Sequence, residues 1–177
     1  MKLPQVLTDR KPEIIARWFH LVVSTYPPDT AKFLLQEKDP FANPVGQALR
    51  EGLEGIYEGW LKGVSEKELY PYMDRIVRIR AVQDFSPSKA VGFVLLLKEA
   101  LRQELEPEIK KGHVSWEDLE YAYSLVDRVQ LLAFDVYAKC REELYEIRVK
   151  EIKNRVQKLW ERVNKEITGE VRPEDTQ

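Results

Sequence analysis

Three polar side chains, Arg80, Gln83 and Asp84, end an apolar helical pattern and are the first candidates for chemistry in this sequence. Arg80 and Asp84 are four residues apart, so on a helix they share one face and can form an ion pair. Ser86 follows at the start of the next helix. A buried charge must be paired or hydrogen-bonded, since an isolated one costs several kcal/mol. We interpret the group as a structural polar corner between two helices; a ligand site is the alternative.

The rest of the sequence offers few groups for catalysis or metal binding. It contains no glycine-rich phosphate loop, no Gly-x-Ser-x-Gly elbow and no His-Glu-x-x-His pattern. The two histidines are distant in sequence: His20 is expected to be a half-buried packing residue, and His113 a loop residue. A globin-type haem needs a histidine that faces its pocket from a late helix. We therefore expect no enzyme activity, no metal and no cofactor.

Composition excludes several classes of protein. The formal net charge of −2 argues against a general nucleic-acid binder, which needs a basic excess. A single cysteine, Cys140, excludes an internal disulfide and a cysteine-rich metal site. The N-terminus lacks the apolar core of a signal peptide, and the apolar run at 90–97 is too short to span a bilayer. The expected location is the cytoplasm.

Helix-start signals divide the chain into helical segments. Asn43-Pro44 and Ser86-Pro87 each offer a capping side chain followed by a proline at the first helical position. Ser65 and Ser115 are each followed three residues later by an acid, which is the form of a capping box. No alternating strand pattern occurs, so the predicted class is all-α. The predicted helices lie near 10–25, 29–37, 44–62, 66–84, 87–110 and 116–168.

The last helix carries an apolar row at alternating steps of four and three residues, which is typical of a coiled-coil seam. It is either paired with a second copy, which we favour, or folded back on its own bundle. We predict a sensory or regulatory bundle over 1–135, a dimerisation or linker segment over 136–168, and a flexible tail over 169–177. The seam, as we call this row, consists of Tyr145, Val149, Ile152, Val156, Leu159 and Val163.

Two motifs together resemble the N-terminal domain of RsbRD-like regulators. They are DPFANPVG at 39–46, with Phe41, Asn43 and Pro44, and IRAVQDFSPSKAVGFVLLLK at 79–98. These regulators are negative regulators of sigma-factor signalling, related to the RsbR-type sensors of stressosomes. The resemblance covers roughly residues 10–110. Phe41 fits either a hydrophobic staple before the Asn43 cap or a partner contact.

The resemblance implies a stress-response regulatory domain with a globin-like, haem-free, dimeric bundle and a linker helix that leads to a STAS output domain. Because the sequence ends at Gln177, we expect no STAS domain here. The predicted function is a non-enzymatic interaction module, homodimeric, with an unidentified regulatory protein partner and without nucleic-acid or membrane binding. The alternative is a sensor of a small molecule or haem, with its pocket near residues 79–93.

Overall fold

A computed structural model describes residues 3–83 and 85–168 of the chain. Over these residues the fold is all-helical, as predicted, and no strand occurs among them. The last helix is far longer than the others, with 52 residues. The eight helices of the described part are α1 (Leu3–Asp9), α2 (Lys11–Val23), α3 (Pro28–Gln36), α4 (Pro44–Lys62), α5 (Glu66–Ala81), α6 (Pro87–Val91), α7 (Leu96–Lys110) and α8 (Trp116–Ile167).

Three of the four predicted helix caps are confirmed. The Asn43 side chain accepts a hydrogen bond from the Gly46 amide at 2.8 Å, and Ser65 forms the capping box that begins α5. Ser115 forms a second capping box, in which its hydroxyl and its amide both bond with Asp118 at 3.0 Å. Ser86 was predicted to cap α6, and this prediction is wrong. Its side chain makes no cap bond, and its hydroxyl lies 3.3 Å from that of Ser88.

The predicted helix over 87–110 is also wrong, because the chain turns between α6 and α7. The carbonyl of Phe93 accepts a hydrogen bond from the buried indole of Trp18 at 2.7 Å. The amide of Leu97 then bonds to the carbonyl of Val94 at 3.0 Å, a three-residue step in place of the α-helical four. The Phe93 carbonyl, which a continuous α-helix would pair with the Leu97 amide, is thus occupied by a side-chain donor from α2.

Glycines on one face of α4 allow α5 to approach closely. A methyl group at Gly52 would lie 2.7 Å from the Ile76 side chain and 3.3 Å from the carbonyl of Tyr72. One at Gly55 would run into the Tyr72 ring. The absence of a side chain at these two positions therefore sets the spacing of the two helices.

The contacts divide the chain into two compact units, Met1–Cys140 and Arg141–Gln177. In the first, α2, α4, α5 and α7 surround the apolar core, with Trp18, Leu53 and Met73 among the fully buried side chains. In the second, every described side chain from 150 to 168 is exposed. No helix in the described part of the chain is long and apolar enough to cross a membrane.

Candidate functional site

Arg80 lies in the last turn of α5 and is completely buried. Its Nε donates a hydrogen bond to the carbonyl of Ala90 at 3.2 Å. Its Nη2 donates to the carbonyl of Lys89 at 2.9 Å and to the hydroxyl of Thr25 at 3.0 Å. One guanidinium therefore joins α5 to α6 and to the segment that follows α2.

Two aromatic rings complete the surroundings of the Arg80 guanidinium. Its carbon lies 4.2 Å from the centre of the Phe85 ring and 5.2 Å from that of Tyr26. The two rings contact each other edge to face, with centres 5.1 Å apart. Such rings attract a cation through their negative faces, most strongly where water is excluded. They offset part of the unfavourable free energy of burying this charge.

Burial shifts the pKa values of both polar groups in this corner. Desolvation lowers the pKa of Arg80, and the nearby Tyr26 hydroxyl opposes the change. Desolvation raises the pKa of Tyr26, and the positive charge of Arg80 opposes that change. Because the pKa of arginine starts far above neutrality, the corner holds a charged guanidinium beside a neutral phenol.

The structure brings three of the four predicted corner residues together. Arg80 is buried as predicted, Gln83 is half-buried, and Ser86 is exposed. Asp84 lies outside the described residues, so the ion pair between Arg80 and Asp84 stays a prediction. The predicted helix over 66–84 ends early, at Ala81.

A cleft of about 760 Å³ adjoins this corner. Sequence reasoning placed a pocket near 79–93 but missed its wall from the α2–α3 connection, because nothing local pairs that connection with α5. The polar and aromatic side chains that line the cleft are Thr25, Tyr26, Thr30, Gln83, Phe85, Ser86 and Lys89.

The loop between α3 and α4, which contains Asn43, is held by hydrogen bonds and has one exposed aromatic ring. Asn43 is buried, and its amide nitrogen donates to the carbonyls of Glu37 at 3.0 Å and Leu34 at 3.3 Å. Pro44 is the first residue of α4. Phe41 is 96% exposed, which excludes the hydrophobic staple. The loop is thus bonded at Asn43 to the end of α3 and the start of α4, and its Phe41 ring is exposed.

The two histidines do not converge. His20 is exposed on α2, so its predicted half-buried packing role is wrong. His113 lies 2.7 Å from the carboxylate of Glu108, a contact that lowers the pKa of that carboxyl. Within residues 3–83 and 85–168, no group of three potential metal ligands occurs.

The seam lies on the second unit, on α8. Tyr145 is 70% exposed, and Val149 is half-buried. The four later seam residues are 45–60% exposed, which is unusual for apolar side chains that follow one regular row.

Residues 12–152 match the family described as the RsbT co-antagonist protein rsbRD N-terminal domain. The chain belongs to this family. The predicted resemblance is confirmed, and the match extends beyond the predicted 10–110 into α8. The family is a regulatory domain of the sigma-factor control type and is not a known enzyme family. No curated protein and no solved structure matches the chain.

Proposed function

We propose that this RsbRD N-terminal domain is a non-enzymatic, cytoplasmic regulatory module with a globin-like, haem-free bundle. It pairs with a second copy through the seam on α8 and contacts a separate regulatory protein of a stress-response, sigma-factor pathway. The proposal for the pathway rests on the family. The proposal against haem rests on the positions of His20 and His113, because neither lies on a late helix.

The observation that carries the pairing is the exposure of the seam. Ile152, Val156 and Leu159 are each about 60% exposed, at spacings of four and three residues. Apolar residues at such spacing are buried when two helices supercoil around each other. In a parallel pair, Arg155 occupies the position that faces Trp160 of the second copy, where a cation and an indole ring attract. Association thus removes an apolar stripe from water.

Light scattering on the intact chain tests the pairing. We expect a dimer at tens of micromolar, and a monomer for the double variant Ile152→Glu/Leu159→Glu, because two carboxylates per chain would be placed in the seam. The matched control is Asn154→Glu/Lys158→Glu, which adds the same residues to the opposite side of the helix and should remain dimeric. A monomeric intact chain, or a dimeric seam variant, would show that the seam is not the interface.

The cleft beside Arg80 favours a second candidate function, a sensor of a small molecule. Ligand sites are commonly clefts of about 300–1,000 Å³ with a few converging polar groups. The cleft of about 760 Å³ lies in that range, and hydroxyl, amide and ammonium groups line it. Mass spectrometry of small molecules retained by the purified chain tests this candidate. Retention of one compound at stoichiometric amount would support it, and its displacement by Thr30→Trp would locate it.

A further inference from the structure

The Arg80 charge has no acidic partner in the part of the chain that the structure describes. Among the described residues it contacts two carbonyls, one hydroxyl and aromatic rings, all of which are neutral. A charge in the interior is unfavourable by several kcal/mol unless an opposite charge or full hydrogen bonding compensates it. These described groups compensate the charge of Arg80 only in part.

Three buried polar atoms of this corner make no hydrogen bond of good geometry among the described residues: the Nη1 of Arg80, the hydroxyl of Tyr26 and the side-chain oxygen of Gln83. The Tyr26 hydroxyl and the Arg80 guanidinium lie close enough to interact, so these two groups partly satisfy each other. Buried polar atoms are nearly always paired, so the oxygen of Gln83, which lines the cleft, retains hydrogen-bonding capacity for a bound molecule. The oxygen and nitrogen of a glutamine amide are readily interchanged, so Gln83 can also present its donor.

The cleft beside these atoms favours a negative ligand. Lys89 is the one charged side chain among its described lining residues, and Thr30 and Ser86 add hydroxyl donors. Tyr26 and Phe85 both contact the Arg80 guanidinium and both line the cleft. An anion in the cleft would therefore bind Lys89 and the hydroxyls directly. It would also be attracted by Arg80 through a region of low dielectric constant, where charges interact more strongly than in water.

We propose that this cleft binds a small organic anion, a carboxylate or a phosphate monoester, with its charged group at Lys89 and its body along the Tyr26 and Phe85 rings. The proposal rests on the second candidate function, the sensor, and specifies its ligand class. Carboxylate and phosphate share the chemistry that this site recognises, namely oxygens that accept charge-assisted hydrogen bonds. The aromatic rings supply the apolar contact that an inorganic ion would not use.

Calorimetric titration of the intact chain with benzoate, phenyl phosphate and the neutral benzamide tests the ligand class. We expect at least one of the two anions to saturate the site with a Kd on the order of millimolar. Benzamide should bind at least tenfold more weakly. Binding of benzoate alone assigns a carboxylate, and binding of phenyl phosphate alone assigns a phosphate ester. If neither anion saturates, the proposal is overturned.

Variants at two exposed lysines and one conservative change at the buried Tyr26 locate the site. Lys89→Met should weaken binding of the anion about tenfold or more, since it removes the direct positive charge. Lys67→Met, an equal change at an exposed position of α5 outside the cleft, should leave the affinity unchanged. Tyr26→Phe keeps the ring and removes the hydroxyl, and should weaken binding several-fold. Equal affinities for all three variants and the unaltered chain would overturn the proposal.

Two results separate this proposal from the functions on which it rests. Benzamide binding as tightly as benzoate, with amide signals of residues 25–30 and 83–89 shifting in NMR spectra, would overturn the anion class and retain the sensor. Light scattering on the same samples reports pairing independently. A chain that dimerises but binds neither anion overturns this proposal alone, whereas a monomer that binds benzoate overturns the pairing alone.

Discussion

Arg80 uses three of its N–H groups to hold two carbonyls and a hydroxyl from different segments of the chain. Its stem and guanidinium are fully buried, so removing the side chain takes the donor from these acceptors. At the scale of single residues, this is the position where one substitution should affect most of the polar corner.

We expect Arg80→Met to lower the free energy of unfolding by about 2–4 kcal/mol, because the carbonyls of Lys89 and Ala90 would lose their donor. The midpoint of thermal unfolding, measured by circular dichroism, should fall by roughly 5–15 °C. Arg75→Met, in an exposed ion pair on the same helix, is the control and should change it little. If Arg80→Met keeps full stability but loses a ligand or partner, the corner is a functional site only.

Asn43 combines a helix cap with two bonds that hold the preceding loop. Asn43→Ser should keep an acceptor for the Gly46 amide and lose both donated bonds. Asn43→Ala should lose all three. We therefore expect stability in urea to decrease in the order Asn, Ser, Ala, with a total loss of about 2–3 kcal/mol for alanine. Equal stability of the serine and alanine variants would show that the cap bond contributes nothing.

At the scale of elements, the second unit combines an apolar seam with basic flanks. In a parallel pair of α8 helices, Arg148 would face Lys153 of the second copy, and these charges repel. Both are exposed, so dissolved salt screens them. The seam supplies the attraction, and the flanks oppose it.

We accordingly expect the dimer to tighten as the salt concentration rises from about 0.05 to 0.5 M, because screening weakens the repulsion while apolar burial persists. Sedimentation equilibrium at several salt concentrations measures the effect. Lys153→Glu, which would place an acid opposite Arg148, should reverse the direction of the salt dependence. A dimer that dissociates in high salt would indicate an interface dominated by opposite charges instead of the seam.

At the scale of the whole molecule, every buried apolar residue of the described chain lies in the first unit, Met1–Cys140. A core confined to one unit should fold without the other. We expect the chain shortened after Cys140 to retain a cooperative thermal transition and a helical spectrum. It should also be monomeric, since it lacks the seam. Loss of the cooperative transition would show that the second unit is needed for folding.

The helices could be read from the sequence because their signals are local. The proline after Asn43 and the acids after Ser65 and Ser115 act within three residues of each helix start, so the neighbouring sequence alone specifies them. The burial of Arg80 followed in the same way from its place in a helical apolar row. The seam and the family motifs could also be recognised because each is a local pattern in the sequence.

Contacts between distant segments were decided only by the tertiary structure. At the break between α6 and α7, the Phe93 carbonyl is bonded to Trp18, which is 75 residues away along the chain. The aromatic rings around Arg80 include Tyr26, which comes from another part of the chain, so no spacing in the sequence joins them. Helix formation depends on neighbours along the chain, whereas a cleft depends on which helix faces and loops pack against each other. The sequence therefore determined most of the helix starts and the burial of Arg80, whereas packing decided where α5 and α6 end and assembled the site.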